Sequence, residues 1–174
     1  MHQSSVVESP TVPTAARNPA DEPSIHPGPR RILLATDLSP ASEQAVDAAI
    51  RLATERGAQL LVMSVVDPRR IRLPGGPFLR RIDQERARVE AATQAIVARA
   101  RTAGARATFL VWEGDPAPSI LDAASSESAD VIVLGSHGRG RLGRLILGST
   151  SARVCEQAQC EVLVVPASQA GGPA

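Results

Sequence analysis

The chain contains no lysine and no tyrosine, and all nineteen of its basic residues are arginine. Without lysine the Gly-x-x-x-x-Gly-Lys loop of the P-loop ATPases cannot be built, and its hydrolytic machinery is excluded with it. Cysteine is scarce: Cys155 and Cys160 have a spacing that fits neither a zinc site nor a Cys-x-x-Cys redox pair, so both read as reduced and structural. Apolar runs such as Leu60 to Val66 fall far short of the ~20 residues that span a bilayer, so no membrane association is expected. Met1 to Ser9 lacks the basic segment and apolar run of a secretory signal, which makes the cytoplasm the expected location. Excess charge is missing too. Nineteen basic against eighteen acidic residues leave a formal +1, too weak a field to draw nucleic acid or an anionic membrane.

What is present is globular: 43% apolar and 21% charged residues over 174 positions, enough for one core. Six of the fourteen prolines crowd into the first 29 residues among Ser, Thr, Ala and Asn, which predicts a disordered Pro-rich tail over 1–29. Residues 167–174 read the same way, leaving one domain over 30–166.

Within that domain, short β-branched runs alternate with longer helical patterns, the signature of a parallel sheet with crossover helices. Five strands are predicted: Arg31 to Thr36, Gln59 to Val66, Arg106 to Trp112, Asp130 to Gly135 and Glu161 to Val165. None alternates cleanly with polar residues, as expected of strands covered on both faces. Ser39 and Pro40 read as the N-cap and first residue of a helix that runs to Gly57. A second helix is expected from about Leu79 to Gly104, with Ile82, Val89, Ala92, Ile96 and Ala100 inward and Arg81–Glu85 and Arg86–Glu90 as surface pairs. A third begins after Asp115 and Pro116, and a fourth runs from Ser149 to near Ala158. The Pro- and Gly-broken connection from Asp67 to Phe78 carries Arg69, Arg70 and Arg72; it reads as a solvated loop, with a lid over an anion as the alternative.

Chemistry concentrates after the fourth strand. Five glycines lie between Gly135 and Gly148, in a segment that also holds His137, Arg139, Arg141 and Arg144 and ends in Ser149, Thr150 and Ser151. Glycine lets backbone amides approach a phosphate without a Cβ in the way, and the helix beginning at Ser149 offers free amides and the positive end of its dipole. A strand end joined to a helix start by glycine is where α/β folds place ligands, so a phosphate site is preferred to a plain flexible loop. Gly138, Gly140 and Gly143 match Gly-x-Gly-x-x-Gly, but the dinucleotide fingerprint belongs after the first strand. Here that strand ends in Ala35, Thr36, Asp37, Leu38 and Ser39, with no glycine.

Gly135-x-x-Gly138, nine residues and then Gly148-Ser149 resembles the ATP-binding universal stress proteins, and the likeness extends over about Arg31 to Pro166. The resemblance implies a Rossmann-like α/β fold, an open doubly wound sheet of five parallel strands in the order 3-2-1-4-5. A crevice then opens between the ends of the first and fourth strands. It implies an ATP site, with or without Mg2+. Asp37 would bond the nucleoside, and the backbone around Ala35, Thr36 and Val65 would line the adenine. Leu134, Gly135, His137 and Gly138 would line the ribose and first phosphates. Gly148, Ser149, Thr150 and Ser151 would hold the terminal phosphates. Asp37 as a mere cap of the first helix is the alternative. The family also pairs as homodimers through the last strand, and an exposed edge over Val162 to Val165 gives that a physical reason.

The functional expectation is a nucleotide-dependent regulator with little or no hydrolysis, because no attacking base or metal-binding carboxylate is evident beside the loop. A slow ATPase or transferase using His137 or Arg139, and a dimeric module that binds no nucleotide, are the alternatives.

Overall fold

The computed structural model describes residues 29–70, 78–136 and 147–167; the predicted tails, and most of the glycine-rich segment, lie outside them. Chain order is β1 (Arg31–Ala35), a 3-10 turn (Pro40–Ser42), α1 (Glu43–Arg56), β2 (Gln59–Val66), a second 3-10 turn (Pro68–Arg70), α2 (Phe78–Thr102), β3 (Arg106–Glu113), α3 (Pro116–Ser126), β4 (Val131–Gly135), α4 (Ser149–Gln157) and β5 (Glu161–Val165). The sheet is wholly parallel, in the order β3-β2-β1-β4-β5. This is the doubly wound arrangement expected from the sequence.

Each sheet face has its own core. Ile32, Leu34, Leu60, Val62, Val131 and Val133 point to α1 and α2, meeting Ala45, Val46, Ala49, Ala53, Val97 and Ala100. Their neighbours Leu33, Ala35, Leu61, Met63, Ile132 and Leu134 point the other way, to Ile120 and Ala123 of α3 and Val154 of α4. The alternate directions of successive side chains put both sets on one strand, which is why β1, β2 and β4 read as unbroken apolar runs. The outer strands differ from that expectation. β3 and β5 are covered on one edge only, several of their side chains are half-exposed, and Leu163 is 42% exposed.

Local signals account for most boundaries. Gly57 ends α1 at φ 62°, its N–H returning to the Ala53 and Thr54 carbonyls, and Gly104 at φ 91° follows α2. The first helix begins later than predicted, since Pro40 opens a 3-10 turn and regular helix starts at Glu43. α2 buries Val89, Thr93, Val97 and Ala100 rather than Ala92, which is only half-buried. Thr93 is inside because its hydroxyl is satisfied, lying 2.7 Å from the Val89 carbonyl and 3.1 Å from Ser64 Oγ. Having one proton, it donates to Val89 and accepts from Ser64. Arg86 does not pair with Glu90; it reaches Glu113 on β3 at 3.2 Å. At the lower end of the sheet the Asp130 carboxylate accepts from both the Arg30 and Arg31 amides at 2.8 Å, fixing β1 beside β4.

Candidate functional site

The sheet order reverses between β1 and β4, and α1 and α4, which follow them, cover opposite faces. No helix can close the seam between those strand ends, so a crevice is left there. It is occupied by a cavity of about 550 Å3 at the ends of β1, β2 and β4. Ala35, Thr36, Asp37, Val65, Leu134, Gly135, Thr150 and Ser151, all predicted from sequence, line it. Gly148 and Ser149 begin α4 without lining the cavity, and His137 and Gly138 lie outside the described residues.

At the end of β1 the chain makes a tight, hydrogen-bonded turn. The Thr36 and Ser42 hydroxyls meet at 2.9 Å in a buried contact, the Leu38 N–H donates to Thr36 Oγ1 at 3.1 Å, and Ser42 Oγ donates to the Ser39 carbonyl at 2.8 Å. Leu38 takes φ 60°, the left-handed region that an L side chain adopts at a cost of ~1–2 kcal/mol. Ser39 starts the 3-10 turn with extended backbone, as a cap should, but its side chain makes no capping bond. Its hydroxyl donates instead to Asp37 Oδ1 at 2.6 Å, and its N–H donates to the same oxygen at 3.0 Å. Asp37 therefore closes its own turn and stays exposed at the cavity wall.

At the end of β4, Gly135 lies against the start of the first helix: a Cβ there would be 3.4 Å from Ser42 Cα and 3.6 Å from the Ala41 carbonyl. Those are ordinary contact distances, so packing against the helix does not by itself require glycine at this position. In α4 the first intrahelical bond runs from the Ala152 N–H to the Gly148 carbonyl at 2.9 Å, so the amides of Ser149, Thr150 and Ser151 precede it. Ser151 is 5% exposed, and its hydroxyl donates to the Gly135 carbonyl at 3.0 Å, which leaves its backbone amide as the donor it offers at the helix start.

Several wall residues were missed. Ser136 is 2% exposed, lines the cavity, and its hydroxyl has no hydrogen-bond partner among the described residues. Met63, Ile120 and Val89 add apolar wall from β2, α3 and α2. Glu85 and Arg88 stand on α2 one turn before and beside Val89. They form a two-bond pair at 3.0 and 2.6 Å, in which the Arg88 hydrogen bonds hold Glu85 below the ordinary carboxylate range. Asp67 also lines the wall, paired in a fork with Arg69 at 2.9 and 3.1 Å. Arg69 reaches on to Asp115, and Asp115 takes Arg153 of α4 as well. Arg69 is therefore engaged with two carboxylates of the protein itself, and Asp115 spends its side chain on arginines instead of capping α3. Residues 71–77, the rest of the predicted loop or lid, lie outside the described residues. The sequence reading sets Glu85 beside Arg81 as a surface pair, and nothing local tells a helix face that meets a cavity from one that meets water.

Cys155 is exposed on α4, contrary to a structural role, whereas Cys160 is half-buried and its thiol is pushed up by desolvation. Among the described residues no group of three His, Cys, Asp or Glu side chains is placed to hold a metal ion, and no helix is long and apolar enough to cross a membrane.

Comparison with known proteins agrees with this architecture. The universal stress protein family model matches residues 28–166. A universal stress protein of Thermus aquaticus is 39% identical over 142 residues, spanning 78% of this chain and 98% of the relative. Among solved structures, a universal stress protein in complex with cAMP is 25% identical, with a TM-score of 0.61 over 80% of this chain and 98% of its own. One from Archaeoglobus fulgidus in complex with dAMP is 25% identical, with a TM-score of 0.59 over 77% and 95%. With a family match that covers the whole described sheet, this chain belongs to the universal stress protein family.

Proposed function

We propose that this protein binds ATP in the crevice between β1 and β4, and that occupied and empty forms engage different partners. The observation that carries the reading is the cavity itself. It joins an apolar slot walled by Ala35, Met63, Val65, Leu134 and Ile120 to the first turn of α4 in one space of about 550 Å3. Such a volume is within the ~300–1,000 Å3 of ligand pockets. The slot suits a flat base, and the helix start suits phosphate.

In this reading Asp37 accepts a bond from the nucleoside, and the backbone at Ala35, Thr36 and Val65 borders the adenine. Leu134 and Gly135 border the ribose, joined by His137 and Gly138 of the glycine-rich segment. Gly148 and the amides of Ser149, Thr150 and Ser151 take the terminal phosphates. Mg2+ would be held chiefly by the phosphates and by the waters that it keeps. Support comes from the relatives crystallised with cAMP and dAMP, which share an adenine and a phosphate with ATP. Little or no hydrolysis is proposed, because the one carboxylate at the β1 end is held in its own turn by Ser39.

The protein is further proposed to act in the cytoplasm as a homodimer paired through β5, whose outer edge carries the exposed Leu163.

Nucleotide released from purified protein by denaturation and identified by mass tests the ligand. Gly148→Glu tests the site: negative charge and bulk at the phosphate end should abolish ATP binding in calorimetry while the fold is kept. Unchanged affinity removes the phosphate from the α4 start.

A further inference from the structure

We infer that Ser39 is a positioning residue, which fixes the Asp37 carboxylate at the cavity wall before any ligand arrives. The inference rests on the nucleotide reading above and adds to it a residue outside the glycine-rich motif. A lone aspartate at a strand end rotates freely about two side-chain torsions, and holding it has an entropic cost when a ligand must do the ordering. Here the cost is met inside the fold. Two donors from Ser39, its N–H at 3.0 Å and its hydroxyl at 2.6 Å, converge on the same Asp37 oxygen. The shorter bond is of the charge-assisted class, roughly twice as strong as a neutral one.

A second, independent set of contacts shapes the turn that brings Ser39 back to Asp37. Leu38, between them, takes φ 60°, a conformation that persists only where the surroundings enforce it. The surroundings are the hydroxyls of Thr36 and Ser42. Thr36 Oγ1 accepts the Leu38 N–H at 3.1 Å, and Ser42 donates to the Ser39 carbonyl through both its N–H at 3.0 Å and its hydroxyl at 2.8 Å. Because Ser42 spends its proton there, Thr36 is the donor across the 2.9 Å contact between the two hydroxyls. Every hydroxyl from Thr36 to Ser42 is thus engaged in holding one bend. Thr36, Asp37, Ser39 and Ser42 all line the cavity. Backbone strain at a ligand cavity, paid for by buried hydroxyls, is the pattern of a preorganised contact.

Ser39→Ala removes only the hydroxyl; the backbone bonds to and from residue 39 remain. ATP affinity measured by calorimetry on the full chain should fall about fivefold, the scale of one net hydrogen bond. Ser39→Thr, which keeps the hydroxyl, should restore it. In an Asp37→Ala background, Ser39→Ala should cost nothing further, because its effect passes through the carboxylate. A crystal structure of the ligand-free Ser39→Ala protein gives a check without nucleotide: Asp37 should occupy more than one rotamer. If the parent protein binds ATP but Ser39→Ala binds as tightly, or loses the same factor without Asp37, the inference is overturned and the nucleotide site stands. An unmoved Asp37 in the variant crystal also overturns it. Absence of ATP binding by the parent protein overturns the nucleotide reading and this inference together.

Discussion

The Ser151 hydroxyl donates to the Gly135 carbonyl at 3.0 Å, joining the first turn of α4 to the last residue of β4. Those two residues bracket the glycine-rich segment in the chain, and the bond makes its two ends a fixed frame. Ser151→Ala should therefore act on the fold. Leaving a half-buried carbonyl without its partner should cost ~1 kcal/mol, at the middle of the range for one hydrogen bond. Urea denaturation checks it, with a lower midpoint and an unchanged slope expected. A midpoint equal to that of the parent would mean that the carbonyl finds another donor.

This bond also shows where the sequence stops being informative. The position of Ser151 at a helix start was legible from Gly148-Ser149, because glycine before a hydroxyl-rich turn is a local signal. Whether its hydroxyl turns out to a ligand or back to the strand depends on how α4 sits over β4, which no local pattern encodes. The strands themselves were legible for the opposite reason, since unbroken apolar runs are written in contiguous residues, whereas their order, and with it the alignment of Asp37 with Gly135, was implied by the family resemblance and not by any local pattern. Glu85, Arg88 and Ile120 reach the cavity from helices whose facing is decided by packing on β2 and β3. Their part in the wall could not be read from spacing alone.

Gly135→Ala should separate stability from binding. The added methyl would meet Ser42 Cα at 3.4 Å and the Ala41 carbonyl at 3.6 Å, ordinary contacts that need no backbone shift. Gly135 has no left-handed φ to lose. The thermal midpoint should thus move little. Ala41, Ser42 and Gly135 all face the cavity, however, so the methyl narrows it where strand and helix approach. ATP binding should weaken by ~1–3 kcal/mol, the usual cost of an extra methylene in a filled site. Calorimetry reads the affinity and differential scanning fluorimetry the midpoint; a large drop in midpoint with intact affinity would contradict both halves.

Ser136→Ala should stabilise the ligand-free protein. The Ser136 hydroxyl is buried without a hydrogen-bond partner among the described residues, and such a group forfeits ~1–3 kcal/mol of hydration. Removing it should return part of that, about 1 kcal/mol in urea denaturation, while the Ser136 N–H keeps its 2.8 Å bond to the Val165 carbonyl. Destabilisation instead would show that the hydroxyl is satisfied in solution, by water or by the segment that follows it.

The last prediction concerns β5. It pairs with β4 on one side, and its other edge carries no strand among the described residues. Leu163, in the middle of that strand, is 42% exposed and Val162, Val164 and Val165 are only half-buried. An apolar edge of this kind invites a second copy unless charge guards it. Glu161, at the strand's start, is the one charged side chain in β5. Leu163→Arg places a cation at the centre of the edge. In a dimer it would face its own symmetry mate, two like charges near the two-fold axis with the apolar contact gone. In size-exclusion chromatography with light scattering the parent should elute as a dimer and the variant as a monomer. Because Leu163 is 42% exposed and is not one of the buried core residues, the variant's far-ultraviolet circular dichroism should be that of the parent. A parent protein that is already monomeric, or a variant that stays dimeric, would move the pairing surface away from β5.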